Sequence, residues 1–241
     1  MTTAIIIQAR MGSTRLTGKV LQVLQDRTVL GHVISRCQAV SSADKVIVAT
    51  TMLEQDRCIV REAEKYGAAW FCGSEHDVLR RYYEAATAIQ ADTVIRITSD
   101  CPLVDPVLID KLIHYYQTGS FDYARIGLDS FSRGFDGEIF SYKVLQQAHE
   151  QAQSDLEREH VTSYILNRRE LFRIGIYREE SATPLYRLTL DTAEDWQLLS
   201  AIFAELYRGE LIPRAEVEQF LQKNPQIASI NEEVEQQHPT I

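Results

Sequence analysis

Three cations, Arg10, Arg15 and Lys19, share a stretch of ten residues with Gly12, Ser13, Thr14 and Gly18. Glycine lets the backbone turn tightly and approach a ligand closely, so that its N–H groups can point inward. Ser13 and Thr14 add hydroxyl donors, and the three charges complete a cradle suited to a polyphosphate. The spacing from Gly12 to Lys19 is not that of a Walker loop, and no G-x-G-x-x-G is present. A short Gly/Arg/Lys loop is, taken alone, as readily a solvated basic turn. Its position favours a ligand. It follows the apolar run Ala4 to Gln8, which reads as a buried strand, and open α/β sheets bind ligands at the carboxyl ends of their strands.

Three further stretches carry candidate chemistry. Ile97-Thr-Ser-Asp-Cys-Pro-Leu-Val-Asp-Pro106 puts Asp100 just past a later strand. A carboxylate there could hold Mg²⁺ against phosphate oxygens, or it could simply cap the helix that starts near Pro106. Asp105 fits that cap well, which leaves Asp100 for the metal. In Leu188-Thr-Leu-Asp-Thr-Ala-Glu-Asp-Trp196, Asp191 stands where a strand gives way to a helix, and helix capping alone explains the local pattern. In Arg133-Gly-Phe-Asp-Gly-Glu138, two glycines flank acids in a way that can shape a pocket for a polyol. Arg158 and His160, in Glu157-Arg-Glu-His-Val-Thr-Ser-Tyr164, could bind a sugar carboxylate; the same four residues 157–160 also read as an ordinary charged helix start.

The stretch Gln8-Ala-Arg-Met-Gly-Ser-Thr-Arg-Leu-Thr-Gly-Lys19 resembles the signature loop of the cytidylyltransferases that make CMP-activated acidic sugars, and most of all their SpsF-like, spore-coat polysaccharide branch. Residues 97–106 resemble that family's Gly-Asp-x-Pro-Leu motif, with Ser99 in place of glycine. Residues 191–195 resemble its Asp-Thr-Pro-Glu-Asp motif, with Ala193 in place of proline, and Thr17 replaces a proline in the loop. Residues 133–138 and 157–162 resemble the SpsF-like branch, and 171–177 a strand of the wider family. The matches span residues 5 to about 205.

The resemblance implies CTP and an acidic sugar as substrates and Mg²⁺ as cofactor, held by Asp100 and Asp191. The sugar hydroxyl would attack the α-phosphorus in line and pyrophosphate would leave. Arg10, Lys19 and Asp100 become the catalytic residues. The nucleotide would meet Gln8, Ala9, Arg10, Gly12, Ser13, Arg15, Lys19, Thr50, Arg80 and Ser99, with base choice set around Gln8, Thr50 and Arg80. Arg133, Asp136, Glu138, Arg158 and His160 would hold the sugar. The family's inserted lobe packs against its twin, which implies a homodimer. Two other readings remain: a nucleotidylyltransferase using another NTP or a sugar or polyol phosphate, and a nucleotide-binding partner protein without catalysis.

Positioning these residues requires a sheet. Apolar runs at Val46–Ala49, Ala68–Cys72 and Val94–Thr98 alternate with helical periodicities at Val29–Val40, Glu54–Tyr66 and Asp77–Ile89. Strands alternating with helices imply an α/β, Rossmann-like, mostly parallel sheet flanked by helices, the nucleotide-diphospho-sugar transferase type. The alternation breaks near residue 120. Short strand-like pieces at Asp122–Arg125 and Glu138–Phe140, helices at Tyr142–Gln153 and Glu157–Arg169, and strands at Phe172–Tyr177 and Arg187–Leu190 follow. Residues 120–185 are therefore expected to form an inserted α+β dimerisation lobe on one nucleotidyltransferase domain spanning 1–241. Thr192 to Tyr207 and Arg214 to Gln222 close the chain as helices.

Composition narrows the class. The chain has 241 residues, 45% hydrophobic and 24% charged, enough for a full core. A net charge of −9 disfavours a nucleic-acid binder, so a cationic loop on this background points to a small anionic ligand. No apolar run reaches the ~20 residues of a membrane span, and the N-terminus does not read as a signal peptide. Cys37, Cys58, Cys72 and Cys101 are widely spaced, without C-x-x-C. Free thiols in a reducing cytoplasm are expected rather than zinc or disulfides.

Overall fold

A computed structural model describes residues 1–12, 15–180 and 184–235. In chain order, β1 (Thr3–Gln8) leads through the cationic loop into a short hairpin, β2 (Val23–Leu24) and β3 (Arg27–Thr28), and then into α1 (Val29–Gln38). Next come β4 (Lys45–Thr51), α2 (Arg57–Lys65), β5 (Ala69–Gly73), α3 (Val78–Ala88), β6 (Thr93–Thr98) and α4 (Pro106–Gly119). They are followed by β7 (Tyr123–Ile126), β8 (Glu138–Ser141), α5 (Tyr142–Gln151), α6 (Asp155–Glu159), α7 (Ser163–Leu166) and β9 (Ile174–Tyr177). The chain ends with α8 (Ala193–Leu206), α9 (Arg214–Lys223) and α10 (Pro225–Ala228).

Seven strands form one sheet in the order β5-β4-β1-β6-β8-β7-β9. The pairs β1–β4, β1–β6, β4–β5 and β7–β9 are parallel, while β8 runs antiparallel to both neighbours. The apolar run of β1 is continuous because both of its faces are buried. Ile5 and Ile7 pack with α1, α4 and α8; Ala4 and Ile6 pack with α3 and α5 on the opposite face. The expected α/β sheet flanked by helices is the observed fold. The strands of residues 120–185 extend this same sheet at β8, β7 and β9, and α5 and α7 lie on the α3 side.

Two local expectations differ from the structure. Glu157–Arg169 is two short helices, because Ser154 and Glu157 form a capping box that starts α6 earlier. The chain then leaves the helix at His160 and resumes as α7 only at Ser163, while the Thr162 hydroxyl donates to Glu138 at 3.0 Å. Arg187–Leu190 is not a strand; it makes an isolated bridge from Arg187 to Arg133, with Leu188 N–H donating to the Arg133 carbonyl at 2.8 Å.

One buried histidine gives the fold a pH signature. His32 on α1 donates from Nε2 to the Leu24 carbonyl at 2.8 Å and packs on the Phe203 and Tyr207 rings. Burial holds its pKa down at about 4. The unfolded chain gains a proton near the ordinary value of 6.5, so stability is lost as pH falls from there toward the folded value. The loss amounts to about 3 kcal/mol by pH ~4. Urea midpoints of the parent and of His32→Gln, taken at neutral pH and at pH ~4.5, should show a smaller acid loss in the variant; parallel losses would reject this assignment.

Candidate active site

The site forms where β1 and β6 end side by side. Gln8 stands opposite Thr98 in register, Ser99 N–H donates to the Gln8 carbonyl at 3.1 Å, and Ala9 N–H to the Ala49 carbonyl at 3.1 Å. The loops after both strands must therefore leave the sheet together. The first is pinned by Met11 N–H on Asp56 Oδ1 at 2.7 Å. Gly18 N–H closes it back on the Met11 carbonyl at 3.3 Å. Gly18 adopts φ +68°, a left-handed conformation natural to glycine, and turns the chain into a 3₁₀ turn, Lys19–Leu21. That turn buries Lys19 to 9% exposure.

Lys19 is where three distant stretches meet. Its ammonium donates to Asp100 Oδ2 at 3.0 Å, to Asp191 Oδ1 at 2.8 Å and to the Leu190 carbonyl at 2.6 Å. The backbone reinforces this, since Leu190 N–H donates to the Asp100 carbonyl at 2.9 Å. Both caps expected from the sequence leave these aspartates available. Asp105 caps α4 ahead of Pro106, and Thr192, not Asp191, caps α8, in a capping box with Asp195. Arg15 lies 2.9 Å from Asp191. Burial alone would lower the Lys19 pKa; the Asp100 and Asp191 charges outweigh it and raise the pKa above its ordinary value. Burial would likewise raise the Asp100 carboxyl, but the Lys19 charge and hydrogen bonds from Thr98 and Lys19 hold it below the usual range.

Around this point opens a cavity of about 370 Å³, lined by Gln8, Ala9, Arg10, Gly12, Arg15, Lys19, Ser99, Asp100, His160 and Asp191 among others. Ten of the sequence-expected residues thus share one concavity. Ser13 lies outside the described residues. A second cavity of about 480 Å³ shares Arg10 and Glu159 with the first and takes in Arg158.

The remaining candidates lie elsewhere. Thr50 is wholly buried in β4 and does not line the cavity. Arg80 points outward and pairs with Glu84 at 2.7 Å; one step around α3, Arg81 lines the cavity instead and donates to the Ser74 carbonyl at 2.5 Å. Glu138 stands behind the wall, bonded to Arg96, Tyr123 and Thr162. Arg96 lines the cavity and reaches Gln8 Oε1 at 3.2 Å. Asp136 is turned into its own loop, accepting from Gly134 N–H at 2.7 Å, and burial raises its carboxyl above the usual range. The Arg133 backbone braces the 186–188 segment, its N–H on the Tyr186 carbonyl at 3.1 Å. Arg81 and Arg96 were missed by the sequence reading. The alternation of β6 was the one signal that separated Arg96 from its buried neighbours.

Among the described residues no cluster of three or more His, Cys, Asp and Glu side chains could hold a metal. The candidate donor set is the pair Asp100 and Asp191. One ammonium already satisfies both carboxylates, so a single positive centre can be met by both. Two hard oxygen donors beside a cationic loop fit a hard divalent cation such as Mg²⁺, which usually takes one or two carboxylates and completes its shell with other oxygens and water.

Comparison with known proteins places this fold among relatives. The family model for cytidylyltransferases matches residues 4–235. The chain is 38% identical over 240 residues to the uncharacterized protein MJ1063 of Methanocaldococcus jannaschii, covering 96% of this chain and 95% of that one. It is 35% identical over 234 residues to the spore coat polysaccharide biosynthesis protein SpsF of Bacillus subtilis, covering 94% and 97%. The solved structure of a cytidylyltransferase from Leptospira borgpetersenii superposes with a TM-score of 0.89 at 32% identity, covering 99% of this chain and all of that one. Fold and sequence relationship together define a nucleotidyltransferase. The chain belongs to the cytidylyltransferase family.

Proposed function

We propose that this protein transfers CMP from CTP to a hydroxyl of an acidic, nonulosonate-like 2-keto sugar, with release of pyrophosphate, as a step in surface polysaccharide synthesis. The observation that carries this reading is the Lys19 ammonium, in contact with both Asp100 and Asp191 in a cavity that Arg10 and Arg15 also line. On a chain of net charge −9, such a local concentration of cations selects an anionic ligand. The resemblance to SpsF supports a polysaccharide precursor as the destination.

Asp100 and Asp191 would hold Mg²⁺, which when bound neutralises phosphate oxygens and lowers the pKa of the attacking hydroxyl. The chain's own contribution is positioning and charge neutralisation. Arg10, Arg15 and Lys19 take the triphosphate, and Gly12, which lines the same cavity, offers a backbone donor to it. Gln8, held by Arg96, and Arg81 line the same cavity and would meet the nucleotide. His160, lining this cavity, and Arg158, lining the adjoining one, would take the sugar carboxylate. Association of two copies through residues 120–185, and a cytoplasmic setting, complete the proposal.

Pyrophosphate release, measured with Mg²⁺ and each of the four NTPs against a panel of 2-keto sugar acids and polyol phosphates, tests it. Release with CTP and an acidic sugar is expected. Release with UTP, GTP or a polyol phosphate would replace the substrate pair, and CTP binding without release on any acceptor would make the protein a nucleotide sensor.

A further inference from the structure

Asp195 carries more contacts than a helix cap needs. It is fully buried, and a cap requires one acceptor for the free N–H groups of the first turn. Its Oδ2 accepts from the backbone of Asp191 at 2.8 Å and of Thr192 at 3.1 Å. Arg187 adds Nε on Oδ1 and Nη2 on Oδ2, each at 2.9 Å. Asn231, 3% exposed in the 3₁₀ turn Ser229–Asn231 near the chain's end, donates from Nδ2 to Asp195 Oδ1 at 2.7 Å and to the Arg187 carbonyl at 2.9 Å. The same Arg187 Nη2 reaches Asp191 Oδ2 at 2.8 Å. That contact leaves Asp191 Oδ1 facing Lys19 and Arg15.

We propose that Arg187, Asp195 and Asn231 are positioning residues that fix the Asp191 carboxylate and keep its charge available, and so set the site's affinity for its divalent cation. This rests on the reading that Asp191 is a metal ligand. Asp191 meets three cations, Lys19, Arg15 and Arg187. A carboxylate neutralised by all three would bind a divalent cation poorly. Asp195 supplies the counter-charge to Arg187 through two parallel hydrogen bonds, the strongest arrangement a guanidinium makes. Arg187 then orients Asp191 without cancelling it. Asn231 fills the outer side of Asp195 Oδ1, which ties the C-terminal turn to the metal-binding edge of the sheet. A bare capping role would predict that the Arg187 and Asn231 contacts have no bearing on the metal.

Mn²⁺ titration followed by electron paramagnetic resonance, with CTP present and no acceptor, reads the affinity without turnover. Asp195→Asn and Asn231→Ala are each expected to weaken Mn²⁺ binding by about 10–100-fold, the usual effect of losing a residue that orients a metal ligand. CTP binding in EDTA should change by less than about threefold, since neither side chain lines the nucleotide cavity. Asn231→Ala changes no charge and keeps the test open if Asp195→Asn fails to fold. Asp191→Asn is the reference. Normal Mn²⁺ affinity in Asp195→Asn and Asn231→Ala, beside a loss in Asp191→Asn, would overturn the positioning role alone. Normal affinity in Asp191→Asn would overturn the metal assignment, and the proposal with it.

Discussion

Asp100→Asn should abolish nucleotidyl transfer while leaving the fold and CTP binding nearly intact. The substitution keeps the shape of the side chain and removes only its charge. Locally the cost is small, because Lys19 retains Asp191 and the Leu190 carbonyl, and the lost bond is worth about 1–2 kcal/mol. For catalysis the cost is large. A bound divalent cation supplies several kcal/mol of transition-state charge stabilisation, and removing one of the two carboxylates proposed to hold it forfeits most of that, about 10³-fold in kcat at 1.36 kcal/mol per tenfold. The Asp100 carboxyl is held below its usual range, so the parent enzyme keeps this charge until the solution is more acidic than ordinary carboxylates require. The checks are initial rates of pyrophosphate release, CTP affinity in EDTA and a urea midpoint. A variant that turns over CTP at near-parent rates would remove Asp100 from the mechanism.

The pair on which that result depends is partly legible in the sequence. Apolar runs gave β1, β4 and β6, because strands buried on both faces leave a strong local signal. Pro106 behind Asp105 gave the α4 cap. Asp100 and Asp191 are 91 residues apart in the chain, and only the motif resemblance joins them; nothing in local spacing specifies the Leu190–Asp100 hydrogen bond. Other side-chain environments stay open in the sequence for the same reason. Arg80 and Arg81 are neighbours in sequence, and which of them faces the cavity depends on the phase that Asp77 imposes on α3 by accepting from Arg80 N–H at 2.9 Å. Glu138 reads as a free polyol ligand until β8 is paired with β6, where its register partner is Arg96. Asp195 reads as a helix-start acid, and its partners Arg187 and Asn231 become visible only when the C-terminal turn folds back. Pairing across the sheet is non-local, and side-chain roles that depend on it are silent in a single sequence.

Lys19→Met should reduce kcat by ~10²–10³, the range seen when a preorganised donor to developing transition-state charge is removed, and its pattern should be the reverse of Asp100→Asn. Methionine approximates the length of the lysine stem and deletes the ammonium. Asp100 and Asp191 then face each other without the cation that now contacts both. Two effects follow with opposite signs. On the proposed mechanism the triphosphate loses a cation that would neutralise the leaving group, which slows transfer. The two carboxylates lose a competitor for the same oxygens, so Mn²⁺ should bind at least as tightly as in the parent, where Asp100→Asn binds it more weakly. Arginine should not rescue the loss, because the ammonium is 2.6–3.0 Å from three oxygens in a nearly closed position and a planar guanidinium does not match that compact geometry. If Lys19 merely held the two aspartates together, deleting it would weaken Mn²⁺ binding and slow turnover in parallel. Retained metal affinity with collapsed turnover instead places the ammonium on the phosphate during the reaction, and the contrast between the two variants separates the group that binds the cation from the group that answers the charge it cannot reach.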